Sequence, residues 1–402
     1  MRISTSMLFD AGVGAINRNQ ADLARTQQQL ATGRRIATPA DDPVASAEAL
    51  NVSSAKSRYE RLAENQGHAR DALARTESVL GELGRVLADV RERLIAAGNG
   101  ALADRDRATI ALELEHRLTE LVGLANSADG RGHHLFAGFR TGTQPFVTTA
   151  GGVVYNGDQG ERLLQVTPER QMPVSVSGDA VFLRIPTGNG VYGVSAAPAN
   201  GGTAIAYAPA SAGAPSLAAA FRIDFVAAGP GVAFEIRDAA TSALLVPATP
   251  YTPGTALSYA GAQVEFTGTP VAGDSFTVAP STARSVFDTL QGLVGALRVP
   301  IAGDDAAQAR LFTQLGAGLA DIDQASEVAL AARTAMGVRL AEVESLAIGN
   351  EDARTQFSAR VSELQDTDYA AAISDLAKRE MVLEAAQRSF TRVTRLTLFD
   401  FL

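Results

Sequence analysis

Proline is absent from Val44 to Gln144 and again from Ile301 to Leu402, while ten of the sixteen prolines lie between Gly178 and Ala283. A proline inside a helix removes an amide donor and clashes with the preceding turn. The two flanks are therefore free to carry long helices, and the middle is not. Charge shifts at the same boundaries: residues 178–283 hold nine charged side chains in 106 positions, against 20% for the whole chain. These two gradients predict an α+β multidomain chain. Its expected parts are a long antiparallel helical bundle, paired terminal coiled-coil helices and an inserted antiparallel β domain.

The first flank carries Leu73, Thr76, Leu80, Leu83, Leu87, Val90 and Leu94 in alternating three- and four-residue steps, the spacing of a coiled-coil seam. The glycines of Gly98-Asn99-Gly100 stop that helix. A second helix is predicted from Asp104 to Ala125, with Ile110, Leu114, Leu118 and Leu121 facing inward. Near the other end, Phe287, Leu290, Val294 and Leu297 predict a short helix, and Leu315 to Val343 a long one. In the middle, Phe221, Ile223 and Phe225 alternate before Gly-Pro-Gly, and Val232, Phe234 and Ile236 alternate after it. Val264, Phe266, Phe276 and Val278 repeat the pattern, which reads as antiparallel strands. Residues 186–218, rich in Ala, Gly and Pro, read as a loose linker.

Several function classes drop out. A net charge of −9 argues against a nucleic-acid partner, which needs a basic face. The pairs Arg34-Arg35 and Lys378-Arg379 are too short to reverse it. No cysteine is present, so there is neither a thiolate metal site nor a thiol nucleophile. The only lysines, Lys56 and Lys378, each follow alanine, which rules out a phosphate-binding loop. No serine has glycine two residues before and two after it, so there is no nucleophile elbow. His133 and His134 are adjacent, and adjacent side chains diverge rather than share a metal. Asp41-Asp42 and Asp304-Asp305 read as helix caps, with Asp42-Pro43 a favourable cap and first-turn pair. No catalytic residues, cofactor or metal are expected. No stretch approaches the length of a membrane span, and the N-terminus lacks the apolar core of a cleaved secretory signal.

Both ends carry apolar residues seven apart. Phe9, Ile16, Leu23 and Leu30 form one stripe, and Tyr369, Leu376, Leu383 and Phe390 the other. The chain closes on LTLFDFL, which includes Leu396 and Phe399. One narrow stripe on each helix supports little stability alone, so both ends are expected to order on assembly and to use these ten residues as an assembly interface.

The stretch LATGRRIATPADDPVASAEAL (30–50), with Gly33, Asp41, Asp42 and Pro43, resembles the entry segment of the flagellin superfamily. Its Asp-Asp-Pro-Val looks more like the hook-associated branch than filament flagellin, which tends to Asp-Asp-Ala-Ala-Gly. The stretch DGRGHHLFAGFRTGTQPF (129–146) is similar to a signature of junction proteins in that branch, carried by Arg131, Phe136, Ala137, Gly138, Phe139, Thr143, Pro145 and Phe146. His133 and His134 stand where members often have tyrosine, so no role passes to them. The resemblance covers roughly 1–177 and 284–402.

It implies a structural, non-enzymatic subunit of the bacterial flagellum, forming a ring between hook and filament. The implied partners are the first hook-associated protein, flagellin, further copies of the chain, and an export chaperone holding the C-terminal helix. Neither nucleic acid nor membrane is among them. Such a protein is secreted through type III export without a cleaved signal. The implied division is terminal helices 1–42 and 360–402 as an inner tube, a body of 43–177 and 284–359, and an outward β domain of 178–283. The rival readings are a filament flagellin and, from a different class, a secreted adhesin or enzyme built on the β insert.

Overall fold

The computed structural model describes residues 5–209, 217–229 and 231–395. Six α-helices are placed among them: α1 (Thr5–Thr32), α2 (Pro43–Ala97), α3 (Asp104–Ala125), α4 (Val286–Leu297), α5 (Asp305–Gln365) and α6 (Tyr369–Arg395). The caps follow the local chemistry. Asp42 Oδ1 accepts the Ala45 N–H at 3.0 Å at the head of α2. Ser285 Oγ accepts the Phe287 N–H for α4, and Asp304 Oδ1 the Ala307 N–H for α5. Each satisfies a donor that the first helical turn leaves orphaned. The described residues form two compact units, 1–64 with 346–402, and 65–345.

In the larger unit the expected seam is the helical core. Leu73, Leu80, Leu83, Leu87, Val90 and Leu94 of α2 are buried, as are Leu114 and Leu121 of α3. Leu290, Leu293 and Leu297 of α4 and Leu315, Ile322 and Met336 of α5 join them. Ile110 and Leu118 are half-buried at the margin. Ion pairs fasten α2 to α5, with Arg91 to Asp323 at 2.7 Å and Arg333 to Glu77 at 2.6 Å.

Two hairpins leave α3. The first pairs β1 (Phe146–Thr149) with β2 (Gly152–Tyr155), and the second pairs β3 (Leu163–Gln165) with β4 (Gln171–Pro173). A single π-turn, Asp179–Leu183, leads to β5 (Ile185–Pro186). The insert then runs through β6 (Tyr192–Ala196), β7 (Ile205–Tyr207), β8 (Phe221–Ala228), β9 (Gly231–Asp238) and β10 (Leu244–Pro250). It continues through β11 (Leu257–Tyr259), β12 (Ala262–Thr267) and β13 (Ser275–Pro280), and closes with β14 (Ala283–Arg284). Five strands pair antiparallel in the order β10-β9-β8-β13-β6, and three in the order β11-β12-β7. The predicted hairpin is β8–β9, with Phe225 opposite Phe234. Phe221, Ile223, Phe225, Val264, Phe266, Phe276 and Val278 share one core drawn from both sheets.

The linker reading of 186–218 is corrected by β6 and β7. Tyr192, Val194, Ala204 and Ala206 are buried in that same core. The Tyr192 hydroxyl donates to the Gln263 carbonyl and accepts the Gln263 N–H, both at 2.9 Å. Alanine and glycine at the alternate positions give little hydrophobic contrast, so the two-residue period is muted in the sequence although the strands form.

Asp321 of α5 holds both legs of the insert. Its Oδ1 accepts the Gly188 N–H at 2.7 Å, and its Oδ2 takes the Arg284 guanidinium at 3.2 Å. Burial pushes its carboxyl above the ordinary value despite these bonds. A raised carboxylate pKa means that the fold favours the neutral form. The resulting stabilisation is present below the unfolded pKa of about 3.9 and is lost as pH rises through the folded value. Asp321→Asn, which keeps the acceptor and drops the charge, is expected to match or exceed wild-type stability at pH 7. Asp321→Ala strands a buried N–H and is expected to cost about 1–3 kcal/mol. Denaturant midpoints of the three proteins at pH 4 and pH 7 decide this. Equal losses for both variants at pH 7 would refute it.

Candidate assembly surfaces

In the smaller unit α1 and α6 lie side by side. The Phe9 and Phe390 rings sit 5.1 Å apart, and Arg379 bridges to Asp22 at 3.2 Å. Ile16, Leu23, Leu30, Leu376, Leu383 and Phe390 are half-buried, while Phe9 and Tyr369 are exposed. Leu396 and Phe399 lie outside the described residues. The pairing covers one stripe of each helix and leaves a second row of α6 open, with Ile373 and Met381 exposed. That row has four-residue spacing from Ile373 through Ala377 to Met381. A seven-residue search passes over it.

The connection between α1 and α2 is tied by backbone. Gly33 takes a left-handed φ of 72° and its carbonyl accepts the Thr367 N–H at 2.9 Å. The Arg35 N–H reaches the Gln365 carbonyl at 2.7 Å. Asp41 is held below the usual carboxylate range first by the Thr38 N–H, and Asp42 first by the Ala45 N–H and then by Arg35. Both carboxylates therefore serve this connection, with Pro43 opening α2.

In the larger unit the 129–146 stretch splits into core and surface. Phe136, Pro145 and Phe146 are buried. Phe146 meets Tyr155 at 5.0 Å and both Phe182 and Phe287 at 5.3 Å, and Phe136 meets Phe182 edge-on at 5.3 Å. Asn126 locks the strand entry by accepting the Phe146 N–H at 2.9 Å and donating to its carbonyl at 2.8 Å. His133 Nδ1 lies 3.2 Å from Asp129, and His134 Nδ1 lies 2.8 Å from the Asn126 carbonyl. The two rings thus serve separate local turns. Arg131 is exposed.

Between core and surface lies a stapled loop. Tyr155 donates its hydroxyl toward the carbonyls of Phe136 and Asp158 (2.9 and 2.7 Å). Asp158 Oδ1 accepts the N–H groups of Phe139 and Gly160 at 2.9 and 2.8 Å. These two bonds, the Phe139 one first, hold the Asp158 carboxyl below its usual range. Gly138 at φ 70° fits against the Asp158 backbone. Phe139 lies across Gly160 with 67% of its surface exposed.

Residues 3–141 match the family described as the bacterial flagellin N-terminal helical region. Flagellar hook-associated protein 3 of Escherichia coli K12 is 27% identical over 401 residues, which covers 100% of this chain and 99% of that protein. The Salmonella typhimurium protein of the same name is 35% identical over 191 residues, covering 48% of this chain and 59% of that one. A crystal structure of Xanthomonas campestris FlgL is 30% identical, with a TM-score of 0.71, and the match covers 77% of this chain and 99% of that one. The chain belongs to the FlgL family. A structure of the flagellar junction protein FlgL from Legionella pneumophila gives the same picture at 29% identity and TM-score 0.71, covering 79% of this chain and all of the other. FlgL membership makes the mixed helix-and-sheet architecture a shared one and makes the chain a structural flagellar protein. Among the described residues, no helix is long and apolar enough to cross a membrane.

Proposed function

We infer that this chain is the structural subunit joining hook to filament in the bacterial flagellum. The observation that carries this is the correspondence with FlgL structures along 99% or more of their length. We extend the reading to its assembly. Copies form a ring, with the first hook-associated protein on one side and flagellin on the other. The chain leaves the cell by type III export without a cleaved signal, and a chaperone covers α6 beforehand.

The half-buried stripe of Ile16, Leu23, Leu30, Leu376, Leu383 and Phe390, with Phe9 and Tyr369 at its margins, supports this division of labour. One stripe pairs α1 with α6, and the open row at Ile373 and Met381 is left for neighbours or for the chaperone. Exposed apolar rows of this kind mark contact surfaces. In this reading 1–42 with 360–402 form the inner tube, 43–177 with 284–359 the wall, and 178–283 the outer domain. The chain works by packing, with no reaction catalysed.

Deleting the gene is the direct test. Electron microscopy is expected to show bare hooks, and the medium is expected to contain monomeric flagellin. Hooks with no flagellin anywhere would make this chain the filament subunit, and normal filaments would refute a junction role.

A further inference from the structure

We propose that Phe139 of one copy seats in a cavity between hairpin β1–β2, α3 and α4 of the next copy, a knob-and-hole contact between two different faces of the larger unit. The proposal rests on the reading of the chain as a ring-forming junction subunit and assigns that ring one of its contacts.

The knob is unusual for a soluble surface. Phe139 is the most exposed of the large aromatic side chains among the described residues. It also cannot fold away. The Asp158 bond to its N–H fixes its backbone, Gly138 and Gly160 admit the close approaches, and Tyr155 ties the two loop segments together. An aromatic ring resting on Gly160 of a fixed loop, with its other face open, loses little freedom on docking, and such anchors concentrate binding energy.

The hole is of matching size and character. A cavity of about 220 Å³ is lined by Leu118 and Val122 of α3, Thr149 and Val153 of the hairpin and Val294 of α4, with Glu115 among its walls. An apolar cavity of about 150 Å³ already accepts a benzene ring, so a phenyl side chain fits. Charge selects the partner. Arg140 follows the knob directly and forms no salt bridge among the described residues; it reaches the Asn156 carbonyl at 3.4 Å, and its charge also bears on Asp158. Glu115 in the wall of the hole is already paired with Arg298 at 2.7 Å, so the free acid at its rim is the exposed Asp288 beside Gly152, which meets no cation among the described residues. Arg140 beside the aromatic knob is thus the complement of Asp288 at the rim of the apolar hole, and both belong to one chain of net charge −9. Knob and hole are different surfaces, so the contact is heterologous. Contacts of that type propagate around a ring instead of closing a two-fold dimer.

The absence of cysteine gives a clean test in the full chain. Cells carrying Phe139→Cys together with Thr119→Cys, oxidised after assembly, are expected to yield a ladder of covalent multimers from isolated hook–filament junctions. Thr119→Cys alone is expected to yield none. Junctions that assemble without covalent multimers, or with dimers alone, overturn the seat. Where Phe139→Cys blocks assembly, charge exchange carries the test. Arg140→Asp and Asp288→Arg are each expected to raise flagellin in the medium at least threefold, and the double variant to restore the wild-type level. Failure of the double variant to restore it overturns the proposal. A deletion strain that keeps its filaments removes the junction reading itself. A deletion phenotype without cross-link or rescue removes only this contact.

Discussion

Phe146→Ala is expected to lower the unfolding free energy of the larger unit by about 3–5 kcal/mol, the range for removing a fully buried aromatic ring. The upper part of that range is the reasoned choice. The ring touches three others, Tyr155, Phe182 and Phe287. They come from β2, the π-turn that leads into the insert, and α4. Deleting the ring therefore leaves a cavity bordered by three separately anchored segments. A site collapses poorly when its walls are held independently, and the cost of truncation rises with the cavity that remains. Phe9→Ala is the control, since Phe9 is 50% exposed and rests on a single ring. Urea denaturation followed by circular dichroism is expected to give a much smaller change for it. A loss below about 1 kcal/mol for Phe146→Ala would mean that the aromatic cluster is not the keystone of this unit.

The aromatic cluster also shows what the sequence can and cannot reveal here. Proline and charge distributions located the helical flanks and the insert, because both act through the backbone and through solvation, which do not depend on the partner. The ends of α3 were legible to the residue, and hairpin β8–β9 was legible as a hairpin, because periodicity and turn residues agree there. β6 and β7 were missed because their alternate positions are alanine, glycine and serine.

The motif residues were legible as special without revealing why. Phe136, Gly138, Pro145 and Phe146 mark a resemblance, yet all four are buried, with Phe146 packed on Phe287 of α4, and only the fold separates them from the exposed Phe139 three residues beyond Phe136. A phenylalanine in an irregular loop has no period from which its burial can be deduced. The open row of α6 was hidden differently, by a period of four next to a period of seven. The terminal stripes were read from spacing alone, and what they touch in the flagellum is a property of the assembly.

Gly138→Ala is expected to damage the stapled loop more than its single methyl suggests. The left-handed φ of 70° strains any side-chain-bearing residue, at about 1–3 kcal/mol. Space makes matters worse: the new Cβ would lie 2.5 Å from the Asp158 carbonyl oxygen and 2.9 Å from its carbon. These are backbone atoms and cannot swing aside like the end of a flexible side chain. Relief requires moving the segment that carries Asp158, which breaks its bonds to the Phe139 and Gly160 N–H groups.

Gly142→Ala, four residues on, meets nothing within 4 Å and is expected to be nearly silent in thermal unfolding. The staple has a second readout. Its hydrogen bonds hold the Asp158 pKa down, so its contribution is present above the unfolded value of about 3.9 and fades as pH falls through the lower folded one. In Gly138→Ala the Asp158 titration, followed by carboxyl NMR, is expected to move back up toward that of a free aspartate. Should the pKa stay depressed while stability falls, the strain would be confined to the Gly138 backbone and the staple would be intact. Should it rise, the loop that presents Phe139 has come loose, and the variant is expected to spill flagellin at temperatures where the protein remains folded.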